Sequence, residues 1–214
     1  MARILLGVTG SVAAIRAFDL IECLSLAGHD LKVVLTESAK YFLDIQKLAG
    51  DPRVLGVFRD ADEWPAPGYR RGDQVLHITL RGWADVFVVA PLDAHTLAKF
   101  ALGLSDNLLT CIFRAWDFER SVVLAPAMNT LMWESPVTRR HLAQLLEDRG
   151  TSSPPPVWTL NEAADVFVRH APSLVLVPPQ AKRLACGDIG MGAMADVSQI
   201  AQAVLTWNQM VGSL

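Results

Sequence analysis

Residues 183–194 read Arg-Leu-Ala-Cys-Gly-Asp-Ile-Gly-Met-Gly-Ala-Met and combine one thiol with three glycines. They show almost no apolar periodicity, and they follow a strand-like run and precede a helix-like one. Such a pattern is typical of a loop rather than of a core segment. Because a thiol is one of the reactive side chains, we expect a mobile loop that carries chemistry at Cys186.

His77 and Asn129 are two further polar residues with chemical potential. His77 lies near the start of a helix predicted over residues 73–84, where an imidazole can act as a base, although a lone histidine is more often structural. Asn129 lies in residues 126–133, which alternate like neither a helix nor a strand. Its amide can hold a carboxylate or an amide. A core loop in which Met and Trp side chains pack is the alternative for that octet.

Three predicted strands, at residues 3–8, 31–35 and 85–90, each end in a polar turn. Because ligands of a wound parallel sheet gather at the carboxyl ends of its strands, these turns could serve one ligand. Gly10 would let a phosphate approach uncovered helix amides closely. Plain helix capping is the alternative. Neither Gly-x-Gly-x-x-Gly nor a Walker sequence is present, so a dinucleotide or nucleoside triphosphate is not favoured.

Strands and helices alternate along most of the chain, which predicts a single α/β domain. Ser135-Pro136 starts a helix that we expect to run to Gly150. Residues 50–72 are interpreted as a long connection with at most one short strand, and residues 151–173 as an irregular segment. A last strand at 174–177 and a helix at 197–210 complete the prediction.

The composition sets broad limits on function. With 214 residues, 51% hydrophobic and 19% charged, the chain is globular, and its net charge of −3 gives no reason to expect nucleic acid or a membrane surface as partner. The first residues resemble neither a secretory signal nor a membrane span, so we expect a cytoplasmic protein. The three cysteines are far apart, which argues against a disulfide framework and against a metal site. Cys23 and Cys111 are interpreted as structural.

The sequence resembles the family of flavin-containing cysteine decarboxylases over nearly its whole length. The motifs that carry this resemblance are Gly10-Ser11-Val12-Ala13-Ala14, His77-Ile78 before Arg81-Gly82-Trp83-Ala84-Asp85, Asp106-Asn107-Leu108-Leu109-Thr110, Pro126-Ala127-Met128-Asn129-Thr130-Leu131-Met132-Trp133, and the stretch around Cys186. The last two are the most specific.

The resemblance implies a flavodoxin-like (Rossmann-type) doubly wound parallel sheet in three layers, bound FMN, and a homotrimer with each active site between subunits. It implies that His77 is the catalytic base, that Cys186 is the proton donor, and that Asn129 holds the cysteine end of the substrate. Arg183, Ala185 and Met194 would belong to a clamp over the substrate. The implied FMN-binding residues are Gly10, Ser11, Val12, Thr36, Ser38, Asp93, Ala94, His95, Thr96 and Ala127.

The implied reaction is transient oxidation of a cysteine-derived thiol to a thioaldehyde, loss of CO₂, and re-reduction of the resulting enethiol. The Cys186 element favours the branch that acts on 4′-phosphopantothenoylcysteine in coenzyme A biosynthesis over the branch that decarboxylates peptides. Residues 93–96 are Asp-Ala-His-Thr where the family usually has Ser-Ala-Asn-Thr, and Met191 stands where many relatives carry Asn. Residues 151–173 are interpreted as a surface insertion.

A regulatory protein is the competing interpretation. Some fungal relatives inhibit a protein phosphatase and join mixed trimers in which one chain supplies the histidine and another the cysteine. This chain contains both His77 and Cys186, which favours a self-sufficient enzyme. Binding to a protein phosphatase is kept as the alternative expectation. A flavin prenyltransferase of similar fold would leave Cys186 unexplained.

Overall fold

A computed structural model of the chain describes residues 1–65, 68, 70–183 and 189–211. Its main sheet has six strands in the described residues. They are β1 (Arg3–Val8), β2 (Asp30–Leu35), β3 (Val54–Arg59), β4 (Val86–Leu92), β5 (Val122–Pro126) and β6 (Leu174–Leu176).

The six strands are all parallel and lie in the order β3-β2-β1-β4-β5-β6. The chain winds outward from β1 to β3 and then returns to place β4 on the other side of β1. The predicted doubly wound sheet is therefore confirmed. Its switch point lies between β1 and β4, whose carboxyl ends leave a crevice because their loops depart in opposite directions.

Helices cover both faces of the sheet. They are α1 (Ala17–Leu26), α2 (Ile45–Ala49), α3 (Asp60–Glu63), α4 (Leu76–Trp83), α5 (Ala94–Leu102), α6 (Leu108–Arg114), α7 (Thr130–Trp133), α8 (Pro136–Arg149), α9 (Ala163–His170) and α10 (Val197–Val211). None of these helices, over the part of the chain described, is long and apolar enough to cross a bilayer.

Two apolar cores separate the three layers. Leu5 of β1 packs into a core with residues of α4, α5, α6, α8 and α9, whereas its neighbours Ile4 and Leu6 pack into a second core with α1 and α10. Successive strand side chains point to opposite faces, so β1 serves both cores. All seven residues of β4 and all five of β5 are buried, as expected for central parallel strands.

The predicted helix after Ser135-Pro136 is confirmed as α8, and the Ser135 side chain accepts a hydrogen bond from Val137 N–H. The sequence from Ala39 to Leu48 predicts a single helix, and this prediction is wrong. A 3₁₀ turn at Glu37–Tyr41 and the short α2 replace it. The break has a local cause, because Asp44 accepts from Lys47 N–H at 3.0 Å and starts a new helix there.

The interpretation of residues 151–173 as irregular surface is corrected by α9. Phe167 of this helix and Ala163 are fully buried, and Trp158 before it is 6% exposed. These side chains pack into the core that α5, α6 and α8 share. The helix has apolar residues at 163, 166 and 167, a spacing that hides one face and leaves Val168 in solvent. The second half of the segment is therefore part of the core.

The glycine-rich stretch near the end is also more regular than expected. β7 (Gln180–Arg183) and β8 (Ile189–Ala193) form a two-stranded antiparallel hairpin. Arg183 pairs with Ile189, so the two arms flank residues 184–188, which lie outside the described residues.

Candidate active site

The loops after β1 and β4 are joined at the switch point. The Thr9 hydroxyl donates to the Pro91 carbonyl at 2.8 Å and accepts from Asp93 N–H at 2.8 Å. Thr9 is fully buried, so these hydrogen bonds are shielded from water. The two loops that border the crevice therefore hold a fixed separation.

Gly10, Ser38 and Asp93 lie against one another in this crevice. A methyl group at Gly10 would come within 2.3 Å of Ser38 Oγ and 3.4 Å of Asp93 Oδ2, so only glycine fits there. Thr36 Oγ1 lies 3.2 Å from Ser38 Oγ, and Ser11 Oγ accepts from Ala13 N–H. Polar turns from three strands, which the sequence singled out separately, thus meet at one place.

The third turn combines capping with a negative charge. Asp93 Oδ1 accepts from Thr96 N–H at 2.6 Å and starts α5. Ala94 is partly buried and Thr96 is buried, while His95 is exposed. The hydrogen bond from Lys99 lowers the pKa of Asp106, which precedes α6.

The loop after β5 is held from both sides. Ala127 N–H donates to the Leu92 carbonyl at 2.9 Å, which ties this loop to the end of β4. Val12 lies across the crevice at the start of a 3₁₀ turn and is 45% exposed. Asn129 starts α7, and its Oδ1 accepts from Leu131 N–H at 2.8 Å.

The β7–β8 hairpin docks on this loop through its glycines. Met128 N–H donates to the Gly192 carbonyl at 2.9 Å. Gly192 has φ +139, and a methyl group there would lie 2.2 Å from the Met128 carbonyl oxygen; at Gly190 it would lie 2.4 Å from Thr130 Oγ1. These two glycines therefore permit close contact with the Asn129 loop.

The predicted clamp residues are only partly described. Arg183 ends β7, while Ala185 and Cys186 lie outside the described residues. Met194 is buried in the core beside α10, and its carbonyl accepts from Gln180 Nε2 at 2.9 Å. Arg183 is paired with Ile189, whose neighbour Gly190 lies against Thr130 of the Asn129 loop.

A cavity of about 260 Å³ lies beside the hairpin. It is lined by Met191 of β8, by Trp133 and Glu134 at the end of α7, and by residues 159–161. Residues 159–161 belong to the segment that the sequence interpreted as an insertion. That segment therefore reaches the surroundings of the predicted substrate site.

His77 is the second residue of α4, as predicted, and it has a buried partner that the sequence did not indicate. Glu63 Oε1 lies 2.5 Å from His77 Nδ1, and Glu63 Oε2 accepts from His77 backbone N–H at 2.8 Å. The Glu63 side chain is 4% exposed and the His77 side chain 23%. Glu63 is the last residue of α3 and lies fourteen residues before His77. Because the two residues belong to different helices, their spacing in the sequence does not indicate that they pair.

The neighbourhood of Glu63 is acidic. Burial raises the pKa of the Cys111 thiol, and the charges of Glu63, Asp106 and Asp60 raise it further. Burial also raises the pKa of Asp60, which accepts from Leu108 N–H at the start of α6. Cys111 is thus a neutral thiol at neutral pH and a poor nucleophile. Cys111 is half-buried, and so is Cys23.

The crevice at the switch point suits an anionic ligand. Gly10 and the hydroxyls of Ser11, Thr36 and Ser38 provide the close approach and the donors that a phosphate needs. Asn129 adds an amide at the end of β5. A histidine paired with a carboxylate, in helix α4, supplies a group that can accept a proton.

Comparison with known proteins shows the family of this chain. The family model described as Flavoprotein matches residues 1–209. The chain therefore belongs to the flavoprotein family.

Within that family the similarity is more specific. A phosphopantothenoylcysteine decarboxylase of Arabidopsis thaliana is 45% identical over 206 residues, which are 96% of this chain and 85% of that protein. A solved PPC decarboxylase mutant complexed with pantothenoylaminoethenethiol is 45% identical, with a TM-score of 0.78 over 97% of this chain and 98% of that one. The structure of the FMN binding protein AtHal3 is 45% identical, with a TM-score of 0.75 over 97% of each chain.

Proposed function

We propose that this chain is an FMN-dependent decarboxylase that converts 4′-phosphopantothenoylcysteine to 4′-phosphopantetheine in coenzyme A biosynthesis. The observation that carries the proposal is the 45% identity to a phosphopantothenoylcysteine decarboxylase over 96% of the chain. The meeting of the polar turns after β1, β2 and β4 at the switch point supports it, because a wound sheet binds its ligand there.

The residues at the switch point fit the phosphate of FMN. Gly10, Ser11, Thr36 and Ser38 would hold it, since a side chain at position 10 would fill the space beside Ser38. Asp93 is the exception in this set, because its carboxylate brings a negative charge to the same crevice. Val12, Ala94, Thr96 and Ala127 would contribute backbone and small apolar contacts.

Bound FMN would supply a two-electron oxidation of the substrate and would return the electrons in the same turnover. An isolated carboxylate leaves slowly as CO₂, because the electron pair of the broken bond has no acceptor. A thioaldehyde next to that carbon accepts the pair, so oxidation must precede decarboxylation. Asn129 would hold the cysteine end of the substrate, His77 would accept a proton in the oxidative step, and Cys186 would protonate the enethiolate carbon.

The test of this proposal is the colour and activity of the purified protein. We expect a yellow protein with the absorbance of oxidised flavin, which releases CO₂ from 4′-phosphopantothenoylcysteine without an added electron donor. A colourless protein that stays inactive after FMN is added would refute the proposal.

Two variants separate the halves of the reaction. We expect Cys186→Ser to release CO₂ and accumulate the enethiol, because protonation of carbon comes after decarboxylation. We expect His77→Asn to leave the flavin oxidised when substrate is added anaerobically, because the first step then lacks its base. Mass spectrometry of products and absorbance near the flavin band measure these outcomes. Full turnover by the Cys186→Ser variant would remove this thiol from the mechanism.

We also propose a homotrimer with each active site between adjacent subunits. Large apolar side chains near the site loops are exposed in the single chain, among them Ile15 at 56% and Leu131 at 79%. Where such side chains form a contiguous apolar surface, a partner typically covers it. A second copy of the chain is the partner we propose.

A further inference from the structure

The carboxylate of Glu63 contacts one residue twice. One oxygen lies 2.5 Å from the His77 ring nitrogen Nδ1, and the other accepts from the backbone N–H of His77 at 2.8 Å. Because the ring and the backbone of His77 are held by the same buried group, the imidazole has little freedom to rotate.

This contact also determines where the ring carries its proton. A carboxylate has only acceptors, so the nitrogen that faces it at 2.5 Å must be the donor. In the neutral imidazole the proton is then on Nδ1, and Nε2 has the lone pair. His77 would thus have Nε2 ready to accept a proton.

We propose that Glu63 is a positioning residue that holds His77 in the tautomer whose Nε2 accepts the substrate proton. This inference rests on the proposed function, in which His77 is the base of the oxidative step. The thiol proton of the substrate would move to Nε2, and bound FMN would supply the two-electron oxidation that removes the hydride from the adjacent carbon. The imidazolium formed at His77 is then stabilised by the Glu63 carboxylate.

Glu63 is one of three acids whose charges act on Cys111. Asp60, at the start of α3, and Asp106, before α6, add negative potential, and Cys111 of α6 is a neutral thiol. Lys99 of α5 pairs with Asp106 through its ammonium at 2.7 Å. Glu63 is thus one of several carboxylates in this region, and it contacts His77.

The structure suggests Glu63→Gln as the decisive variant. The amide oxygen of glutamine can still accept from His77 backbone N–H, so the start of α4 is kept. The amide nitrogen must then face Nδ1 and donate to it, which moves the ring proton to Nε2. The variant should therefore fold normally and hold His77 in the wrong tautomer.

The first measurement is independent of catalysis. We expect ¹⁵N NMR of flavin-free protein labelled at its five histidines to show a protonated Nδ1 and an unprotonated Nε2 for His77, assigned by comparison with His77→Asn. The Glu63→Gln variant should show the reverse. A wild-type His77 with its proton on Nε2 would overturn the inference, and this result does not depend on the folding of any variant.

The second measurement is the rate of anaerobic flavin bleaching at saturating substrate. We expect Glu63→Gln to lower it about 10²–10⁴-fold with little change in KM, as replacing a histidine-orienting carboxylate by an amide does elsewhere. Glu63→Asp should recover part of the rate, because it restores an acceptor for Nδ1–H. Exposed Glu119→Gln is the matched control and should behave as wild type.

A Glu63→Gln variant with the wild-type rate and the wild-type tautomer would show that Glu63 only caps the helix. If the wild-type protein itself failed to bleach, the proposed function would fall. The NMR result would still decide whether Glu63 orients His77.

Discussion

At the scale of single residues, Asp93 shows how one side chain can meet a structural need at a cost to ligand binding. Its Oδ1 caps α5 through Thr96 N–H, while its Oδ2 points toward Gly10, where we place the FMN phosphate. A serine hydroxyl could make the same cap without the charge. The carboxylate therefore adds repulsion that the cap does not require.

We predict that Asp93→Ser binds FMN about 3–10-fold more tightly than wild type. Removing one like charge beside a phosphate at a partly exposed site is worth about 1 kcal/mol, and the serine retains the cap. Titration of flavin-free protein with FMN, followed by fluorescence quenching, measures the Kd.

Asp93→Ala is the control for this prediction. It should gain similar FMN affinity and lose about 1 kcal/mol of stability, because it removes the cap together with the charge. Weaker FMN binding by both variants would place the phosphate away from Asp93.

At the scale of secondary-structure elements, the β7–β8 hairpin is fixed to the Asn129 loop by backbone contact. Position 192 requires glycine for two reasons. Its φ is +139, and a Cβ there would lie 2.2 Å from the Met128 carbonyl oxygen. Docked in this way, Gly190 and Gly192 of β8 lie against the loop that carries Asn129, the residue proposed to hold the substrate.

We predict that Gly192→Ala lowers the melting temperature and the rate of CO₂ release together. The strained φ and the clash should cost about 1–3 kcal/mol, which corresponds to about 2–10 °C for a chain of this size. Circular dichroism and a CO₂ assay measure the two effects.

Gly82→Ala gives the opposite expectation for stability. Gly82 lies in α4, and a methyl group there meets nothing within 4 Å. Its replacement should raise stability by about 0.5–1 kcal/mol. A Gly192→Ala protein as stable as Gly82→Ala would show that the hairpin is not docked on the Asn129 loop.

The helix α9 gives a second prediction at this scale. Phe167→Ala should lose about 3–5 kcal/mol of stability, because the side chain is fully buried in the core under α8. Its neighbour Val168 is 63% exposed, and Val168→Ala should change stability by less than about 0.5 kcal/mol. Equal melting temperatures for the two variants, measured by denaturation, would mean that the segment is peripheral after all.

The sequence predicted the elements that have a strong period or a clear terminus. Strands β1 and β4 are apolar runs, and Ser135-Pro136 marks the start of α8, so the sequence predicts all three. The sequence does not predict helix α9, because three prolines and several small polar residues precede it. The helix is also short, and its buried face consists of Ala163, Val166 and Phe167. Glu63 was missed because its partner His77 is brought to it by tertiary folding alone.

At the scale of the whole molecule, the exposed apolar residues around the site suggest that one chain is an incomplete unit. Val12 and Ile15 precede α1, and Leu131 and Met132 lie in α7, so they flank the crevice from two elements. Covering them with a second chain would shield the site from water. The cytoplasmic location expected from the sequence stays a prediction.

We predict that the purified protein has about three times the mass of a 23.4 kDa chain when measured by light scattering. Leu131→Asp should shift the protein toward monomers and lower CO₂ release, because it places a charge in the proposed interface. Leu26 ends α1 and is 82% exposed. Leu26→Asp is the control and should stay trimeric. A monomeric and fully active wild type would contradict the proposed assembly.

The alternation of side chains along β8 has a consequence for how this protein can evolve. Gly190 and Gly192 face the Asn129 loop and tolerate no larger residue, whereas Met191 between them lines the cavity beside Trp133. Substitutions at position 191 can therefore change which ligands the cavity binds without disturbing the docking of the hairpin, and a mutant library should begin at this position.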